Sequence, residues 1–292
     1  DIVAVDGKVL PASGAEIISD QALQPVVDDF RQSTFMSIPY NLFIPKNYTE
    51  KTQYPLVMFI SDASTNSDDP FVSLVQGIGG VIWATPEEQA KHPSFVLVPQ
   101  VPHGVPLTRD DFVASQELNI IKDLLDEVVE TYNIDKNRIY TTGQSQGCMA
   151  SCELNVRYPD YFAASLLVSG QWDPKSMAEK LVNKHLFIAL SEGGQREFPG
   201  MNAVTNALEK AGAKVAHTRL NARKSKTELN QDVKELIATG ANILYTTYNA
   251  NSVLPDDGKQ YPSIYHHLRG WVITYDIEAV RDWLFSQEKE KP

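Results

Sequence analysis

Continuous apolar runs alternate with amphipathic stretches along most of the chain. The runs at residues 56–60, 95–98 and 186–190 contain no polar residue, which is typical of strands buried on both faces of a sheet. Residues 116–132 instead repeat apolar side chains at the period of an amphipathic helix. Because such strands and helices alternate from about residue 55 to the end, the sequence predicts an α/β fold with a mostly parallel central sheet and helices on both faces.

The domain organisation follows from the continuity of this alternation. No internal repeat, low-complexity stretch or linker interrupts it, so we expect a single domain over residues 1–292. Residues 1–35 carry short mixed stretches broken by proline and glycine, and they are predicted to form an N-terminal strand and cover. Residues 37–43 alternate polar and apolar side chains before Pro45, which favours a strand at the edge of the sheet.

One tight turn separates a predicted strand from a predicted helix in the middle of the chain. Its sequence is Gly143-Gln144-Ser145-Gln146-Gly147, a G-x-S-x-G pattern. A strand, this turn and a helix are the context of a nucleophile elbow, where the glycines leave room for a crowded backbone. In parallel sheets the working residues lie in loops after the carboxyl ends of strands. Ser145 is therefore the candidate nucleophile.

A serine hydroxyl is a weak nucleophile at neutral pH and needs a base, a group that orients the base, and donors for the oxyanion. In this topology the chain order is serine, acid, histidine. Of the six histidines, His266 and His267 occupy the expected place, a predicted loop between the last apolar strand and the final helix. Their positions alone do not separate the two.

The oxyanion donors are expected to be backbone N–H groups. One should belong to Gln146, directly after the serine, and the other to the loop after the 56–60 run, near Ala63. Because the donors are backbone groups, the side chains at these positions matter little for stabilising the anion.

Composition excludes several function classes. The chain of 292 residues has a formal net charge of −11 and a pI of about 5.0, so nucleic acid is not an expected partner. No apolar run approaches the ~20 residues of a membrane span, so no membrane partner is expected. No histidine pair has metal-ligand spacing near carboxylates, and we expect neither a metal nor a cofactor.

The cysteines and the first residues bear on the compartment. Cys148 and Cys152 are four residues apart on one predicted helix, and we interpret them as small buried residues rather than a disulfide. Residues 1–5 are neither a Met start nor a signal peptide, which favours an exported protein whose signal has been removed. We therefore expect a secreted or periplasmic location.

Longer segments around these candidate residues can be compared with known families. They are Gly79–Ala84, His92–Gln100, Asn137–Gly147, Tyr158–Ala164, Ser191–Gly193, Phe198–Met201, and the stretch from His267 through Trp271 to Val280–Phe285. Together they resemble secreted bacterial esterases of the α/β-hydrolase group that contains thermophilic esterase A, feruloyl-type esterases and polyhydroxybutyrate depolymerase-like enzymes, many of them labelled prolyl-oligopeptidase-like. The resemblance covers roughly residues 30–288. It implies an α/β-hydrolase fold and ester hydrolysis through an acyl-enzyme, and it favours His267, four residues before Trp271.

Two positions depart from that family's pattern. Ser61-Asp62 stand where the family usually has His-Gly, and an aspartate there would oppose a developing anion unless its carboxylate points away. Gly194 stands where the resemblance would place the triad acid. Three carboxylates could substitute for that acid: Glu197, three residues further on; Asp173, after the preceding strand; and Glu192, which is closer to the strand end and comes too early. Glu197 and Asp173 are ranked equally, with no acid at all as the remaining alternative.

The leading hypothesis is a serine carboxylesterase that acts on short-chain or aromatic, feruloyl-type esters, as small molecules or linked to a polysaccharide. Trp172, Tyr248, Tyr261 and Tyr265 are candidates to contact a phenolic acyl group, although aromatic side chains in such loops more often simply pack. A non-catalytic α/β-hydrolase that binds a ligand or carbohydrate stays open because of the two departures. A serine peptidase is a further alternative.

Overall fold

The apolar runs of the sequence form the centre of a nine-stranded sheet in a computed structural model that describes residues 2–5, 8–11 and 23–289. Two strands, β1 (Ile2–Val5) and β2 (Lys8–Pro11), pair with each other in a separate antiparallel sheet. The nine strands of the large sheet are β3 (Arg31–Phe35), β4 (Ile38–Phe43), β5 (Tyr54–Ile60), β6 (Phe95–Pro99), β7 (Ile134–Gln144), β8 (Ala164–Val168), β9 (Leu186–Ser191), β10 (Val215–Leu220) and β11 (Ile243–Tyr248). Parts of the predicted N-terminal strand and cover, residues 1, 6–7 and 12–22, lie outside the described residues.

Helices follow most of the central strands along the chain. They are α1 (Gln24–Asp28), α2 (Phe71–Val75), α3 (Pro86–Lys91), α4 (Glu117–Thr131), α5 (Gln146–Arg157), α6 (Pro174–Leu181), α7 (Glu197–Lys210), α8 (Lys226–Ile237), α9 (Ile264–Asp276) and α10 (Glu278–Ser286). None of the helices among the described residues has the length and apolar character needed to cross a membrane.

The large sheet has the strand order β10-β11-β9-β8-β7-β5-β6-β4-β3. The strands from β10 to β6 in this order run parallel, and β4 and β3 complete one edge as antiparallel strands. This confirms the predicted mostly parallel sheet. The prediction that residues 37–43 form an edge strand is wrong, because β4 pairs with β6 on one side and with β3 on the other.

Alternate residues of the central strands enter opposite cores. In β5, Val57 and Phe59 pack into a core with side chains of α8, α9 and α10. Met58 and Ile60 pack into the other core, with side chains of α4 and α5. Residues on a strand point alternately to its two faces, so a wholly apolar strand needs helices on both sides. The carboxyl ends of β5 and β7 lie side by side between these layers, with Ile60 registered against Gly143.

A buried ion pair fastens the last helix to α3. Arg281 of α10 donates from Nε to Oε2 of Glu88 at 2.8 Å, and the Glu88 side chain is 2% exposed. Arg281 also donates from Nη1 to the carbonyl oxygen of Tyr275 at 2.6 Å. A buried carboxylate that loses its cation keeps the full cost of desolvation, so removing Arg281 would leave Glu88 as an uncompensated buried charge.

We expect Arg281→Met to lower the free energy of unfolding by about 3–5 kcal/mol, because Glu88 is then left buried without its cation. The control Lys136→Met removes an exposed pair with Glu130 and should cost no more than about 1 kcal/mol. Urea unfolding measures both, and adding Glu88→Gln to Arg281→Met should recover part of the loss. Equal effects of Arg281→Met and Lys136→Met would contradict this account.

Candidate active site

Ser145 lies on the turn between β7 and α5 in a strained backbone conformation. Its φ is +54° and its ψ is −116°, a region that side-chain-bearing residues rarely adopt and that costs of order 1–3 kcal/mol. A Cβ at Gly147 would overlap the carbonyl oxygen of Ile60, and one at Gly143 would overlap the backbone of Gly147. Only glycine fits at either position, as the sequence pattern predicts for a turn this tight.

A continuous chain of hydrogen bonds joins Ser145 to a carboxylate through one imidazole. The Ser145 hydroxyl lies 2.9 Å from Nε2 of His267, and Nδ1 of His267 lies 2.7 Å from Oε1 of Glu197. An ionised carboxylate can only accept, so Nδ1 carries the proton and Nε2 is free to accept from the serine hydroxyl. The structure thus brings together three residues selected from the sequence.

His267 is held by the helix that carries it. It lies in the first turn of α9 rather than in the predicted loop, and that prediction is wrong. Its ring packs edge-on against Trp271, four residues later, with ring centroids 5.3 Å apart. His266, the alternative, is engaged elsewhere, with its Nδ1 3.0 Å from the carbonyl oxygen of Ala250.

Glu197 occupies space that Gly194 leaves open. A Cβ at position 194 would overlap Oε1 of Glu197, so the missing side chain is what lets the glutamate reach the imidazole. Asp173 takes no part in this contact. It caps α6 by accepting from the N–H groups of Lys175 and Ser176 at 3.3 and 3.0 Å.

The pKa of the Glu197 carboxyl lies below its ordinary value. Burial by itself would raise this pKa, but the hydrogen bond and charge of His267, together with the backbone N–H groups of Arg196 and Glu197, outweigh it. Glu197 is the first residue of α7, and the positive end of a helix dipole favours a carboxylate there. The group beside the imidazole is therefore ionised at neutral pH.

Asp62 turns its carboxylate into the protein and is 3% exposed. Oδ2 accepts from Nε2 of Gln144 at 3.0 Å and from the Ser61 hydroxyl at 3.4 Å. Oδ1 accepts from the N–H of Ser64 at 3.0 Å and from its hydroxyl. Because Gln144 directly precedes Ser145, this network fastens the loop after β5 to the strained turn. The sequence held no signal for this pairing.

Ala63 and Gln146 lie at matching positions beyond the ends of β5 and β7. Each is three residues past the registered pair of Ile60 and Gly143. Each is also the first residue of a helical turn, Ala63 of a short 3-10 helix and Gln146 of α5. N–H groups at such positions have no acceptor within their own helix and are available to a ligand.

The aromatic candidates differ in accessibility. Trp172 is 1% exposed and donates from Nε1 to Glu153, and Tyr248 is fully buried beside the hydroxyl of Thr274. Neither presents a free face to a ligand. Tyr261 and Tyr265 pack against each other, with ring centroids 5.1 Å apart, shortly before His267.

One group of side chains among the described residues could hold a metal ion. The donor atoms of Glu88, His92 and Asp282 lie within 4.8 Å of one another. However, Arg281 already occupies Oε2 of Glu88, and Nε2 of His92 lies 2.9 Å from Oδ1 of Asp282. These contacts join α3 to α10, but Oε1 of Glu88 is buried without a hydrogen-bond partner among the described residues, so they leave one donor oxygen of the group unengaged. Ser145, His267 and Glu197 do not belong to it.

Comparisons with known proteins identify the fold. No model of a known protein family matches the chain. A segment of 52 residues, 18% of this chain, is 36% identical to acetylxylan esterase A of Emericella nidulans and spans 17% of that protein. A thermostable esterase matches 91% of this chain at 24% identity with a TM-score of 0.72, and this chain spans 64% of it.

Two further solved structures are similar over most of the chain. A feruloyl esterase module from Clostridium thermocellum, solved with sinapinate, matches 95% of each chain at 12% identity with a TM-score of 0.56. Pyrococcus horikoshii acylaminoacyl peptidase matches 90% of this chain and 43% of its own at 11% identity, with a TM-score of 0.55. At these identities the likeness concerns the fold, and the chain has the α/β-hydrolase fold that its sequence predicted.

The two glycines of the site should respond differently to an added methyl group. We expect Gly147→Ala to lower the free energy of unfolding by about 3 kcal/mol or more, because the new Cβ meets backbone that cannot move aside. Gly194→Ala meets the Glu197 side chain rather than backbone, so it should lower the free energy of unfolding clearly less than Gly147→Ala does while displacing the carboxylate. Thermal and urea unfolding measure both, and similar losses would contradict the structure.

Proposed function

We propose that the chain is a serine carboxylesterase in which Ser145 is the nucleophile, His267 the general base and Glu197 the acid of a catalytic triad. The observation that carries the proposal is the pair of hydrogen bonds, 2.9 and 2.7 Å long, that link the three side chains on a nucleophile elbow. The fold supports it, since solved structures with this fold are named as esterases.

In the proposed reaction, His267 Nε2 takes the proton of the Ser145 hydroxyl as the oxygen attacks the ester carbonyl carbon. The N–H groups of Gln146 and Ala63 donate to the oxyanion of the tetrahedral intermediate. His267 then gives the proton to the departing alcohol, which leaves an acyl group on Ser145. Water, deprotonated by His267, attacks the carbonyl carbon of this acyl-enzyme, and His267 returns the proton to the Ser145 oxygen as the bond to the acyl group breaks and the carboxylic acid leaves. Throughout, Glu197 orients the imidazole and stabilises its charged form.

The two departures from the family pattern are compatible with catalysis. Asp62 directs its carboxylate toward Gln144 and Ser64, into the protein, so its charge is used to brace the loop. Gly194 is matched by Glu197, which supplies a carboxylate to His267. Both observations favour an active enzyme over the non-catalytic alternative.

Esters are favoured over peptides as substrates. The structural match with a TM-score of 0.72 is named an esterase, and the local sequence match of 36% identity over 52 residues is also to an esterase, whereas the similar peptidase has a TM-score of 0.55. Short-chain or aromatic esters, free or linked to a polysaccharide, are the proposed class. A secreted or periplasmic location, like the absence of a nucleic-acid or membrane partner, stays a prediction.

The first test compares the wild-type chain with Ser145→Ala on p-nitrophenyl acetate. Removing the nucleophile should lower kcat/KM by at least about 10³-fold, because no other described group can form the acyl-enzyme at this turn. Circular dichroism and thermal unfolding establish that the variant is folded. Rates at background level in both proteins would refute the esterase proposal.

The second test separates the two carboxylates ranked equally by the sequence. Glu197→Gln should lower kcat by about 10²–10⁴-fold, because the imidazole loses its orientation and the charge that stabilises its protonated form. The matched control Asp173→Asn keeps a side chain able to cap α6 and should leave kcat within about 2-fold. A larger loss in Asp173→Asn than in Glu197→Gln would reverse the assignment.

A further inference from the structure

Exposed large apolar side chains are concentrated near the candidate site. Among the described residues they are Met36, Phe112, Val113 and Ile264. Single exposed apolar residues are common and need no explanation, but a group beside a catalytic centre points to a ligand. Phe112, Val113 and Ile264 lie on two segments whose contacts lead directly to Ser145, His267 and Glu197.

Ile264 projects from the same helix as His267. It is the first residue of α9, three positions before His267, and is 49% exposed. Residues three apart on a helix are neighbours on its surface, with Cβ atoms about 5–6 Å apart. Ile264 is therefore an exposed neighbour of His267 on the surface of α9.

The segment of residues 102–116 is tied to both sides of the hydrogen-bonded chain. On one side, the N–H of Leu107 donates to Oε1 of Gln146 at 3.2 Å, and the Thr108 hydroxyl donates to the Gln146 carbonyl oxygen at 3.4 Å. On the other side, Asp110 pairs with Arg196. Gln146 directly follows Ser145 and Arg196 directly precedes Glu197, so the segment contacts the chain neighbour of each of these two site residues.

Phe112 is at the tip of this segment in an unfavourable conformation. The tip is closed by hydrogen bonds from Phe112 N to Arg109 O at 3.0 Å and from Arg109 N to Val113 O at 2.9 Å. The φ of Phe112 is +64°, where glycine would be relaxed and a bulky residue is strained. Its ring stands edge-on against buried Trp172, with centroids 5.8 Å apart, yet it stays 39% exposed. The Phe112 ring is thus partly exposed on a segment that contacts the neighbours of Ser145 and Glu197.

We propose that Phe112, Val113 and Ile264 form an apolar rim that binds the apolar substituent of the ester, an aryl ring or a chain of several carbons. The inference rests on the proposed esterase function and specifies its substrate. Such a rim binds a substituent by removing its apolar surface from water. Each methylene buried in this way raises the affinity by about 3- to 4-fold. Acetate is too small to gain from this contact, whereas a hexanoyl or phenyl group gains fully.

The experiment measures kcat/KM over two substrate series with the full chain. In the first, p-nitrophenyl acetate, butyrate and hexanoate vary the acyl group with a constant leaving group. In the second, methyl, hexyl and benzyl acetates vary the alcohol with a constant acyl group. The series in which rates rise with apolar size identifies the part of the ester that the rim binds.

The test variants are Phe112→Gly and Ile264→Ala. Glycine relaxes the backbone at φ +64°, which offsets the lost ring contact with Trp172, so Phe112→Gly should stay folded while losing the aromatic side chain. Met36→Gly is the matched control, because Met36 is 73% exposed and also has a positive φ, +52°, at the β3–β4 turn. Thermal unfolding establishes that all three variants are folded.

We expect Phe112→Gly to lower kcat/KM about 10-fold or more for the largest ester of one series and to leave the acetate reference within about 3-fold. Ile264→Ala should act in the same direction. Met36→Gly should change kcat/KM neither for the largest ester nor for the acetate reference. If Phe112→Gly lowers kcat/KM equally for small and large esters, or in neither series, the proposed binding role of the rim is refuted. The proposed esterase function would not be affected by that result. If wild type and Ser145→Ala are equally inactive, the proposed function fails and the rim with it.

Discussion

The close approach of two backbones, at the end of β5 and at the turn after β7, sets the geometry of the site. Gly147 lies against the carbonyl oxygen of Ile60 so closely that a methyl group would not fit between them. This approach brings the first residue of α5 beside the loop after β5, and the Asp62–Gln144 hydrogen bond reinforces it. The strain at Ser145 is maintained because the packed sheet around the turn allows no other path for the chain.

Parts of this arrangement that depend on local pattern could be predicted from the sequence. Wholly apolar runs identify the central strands because those strands are buried on both faces, and the G-x-S-x-G pattern locates Ser145 because backbone crowding demands glycine. The helix that carries His267 was missed although its signal was present. Leu268, Trp271 and Tyr275 repeat at helical spacing and are all buried, but α9 begins without a side-chain cap at Ser263.

Polar contacts between distant parts of the chain could not be predicted. Gln144 and Asp62 are 82 positions apart, and Arg281 and Glu88 are 193 positions apart. Such pairs follow no repeating spacing along the sequence. In the sequence, each member alone is indistinguishable from a polar residue on the protein surface. The sequence could flag Asp62 as unusual beside a candidate oxyanion site, but only the direction of its carboxylate shows that the charge serves the loop.

The acid illustrates why a departure from a family pattern is not a loss in itself. Gly194 and Glu197 make sense only together: the glycine removes the side chain that would block the glutamate, and the longer glutamate spans the added distance to His267. Moving the carboxylate to the first position of α7 also places it where backbone N–H groups favour its ionised form, which offsets the cost of burial. In the proposed triad, a carboxylate held in this way would orient the imidazole as an aspartate at position 194 would, and Glu197 would supply the acid from a different position in the chain.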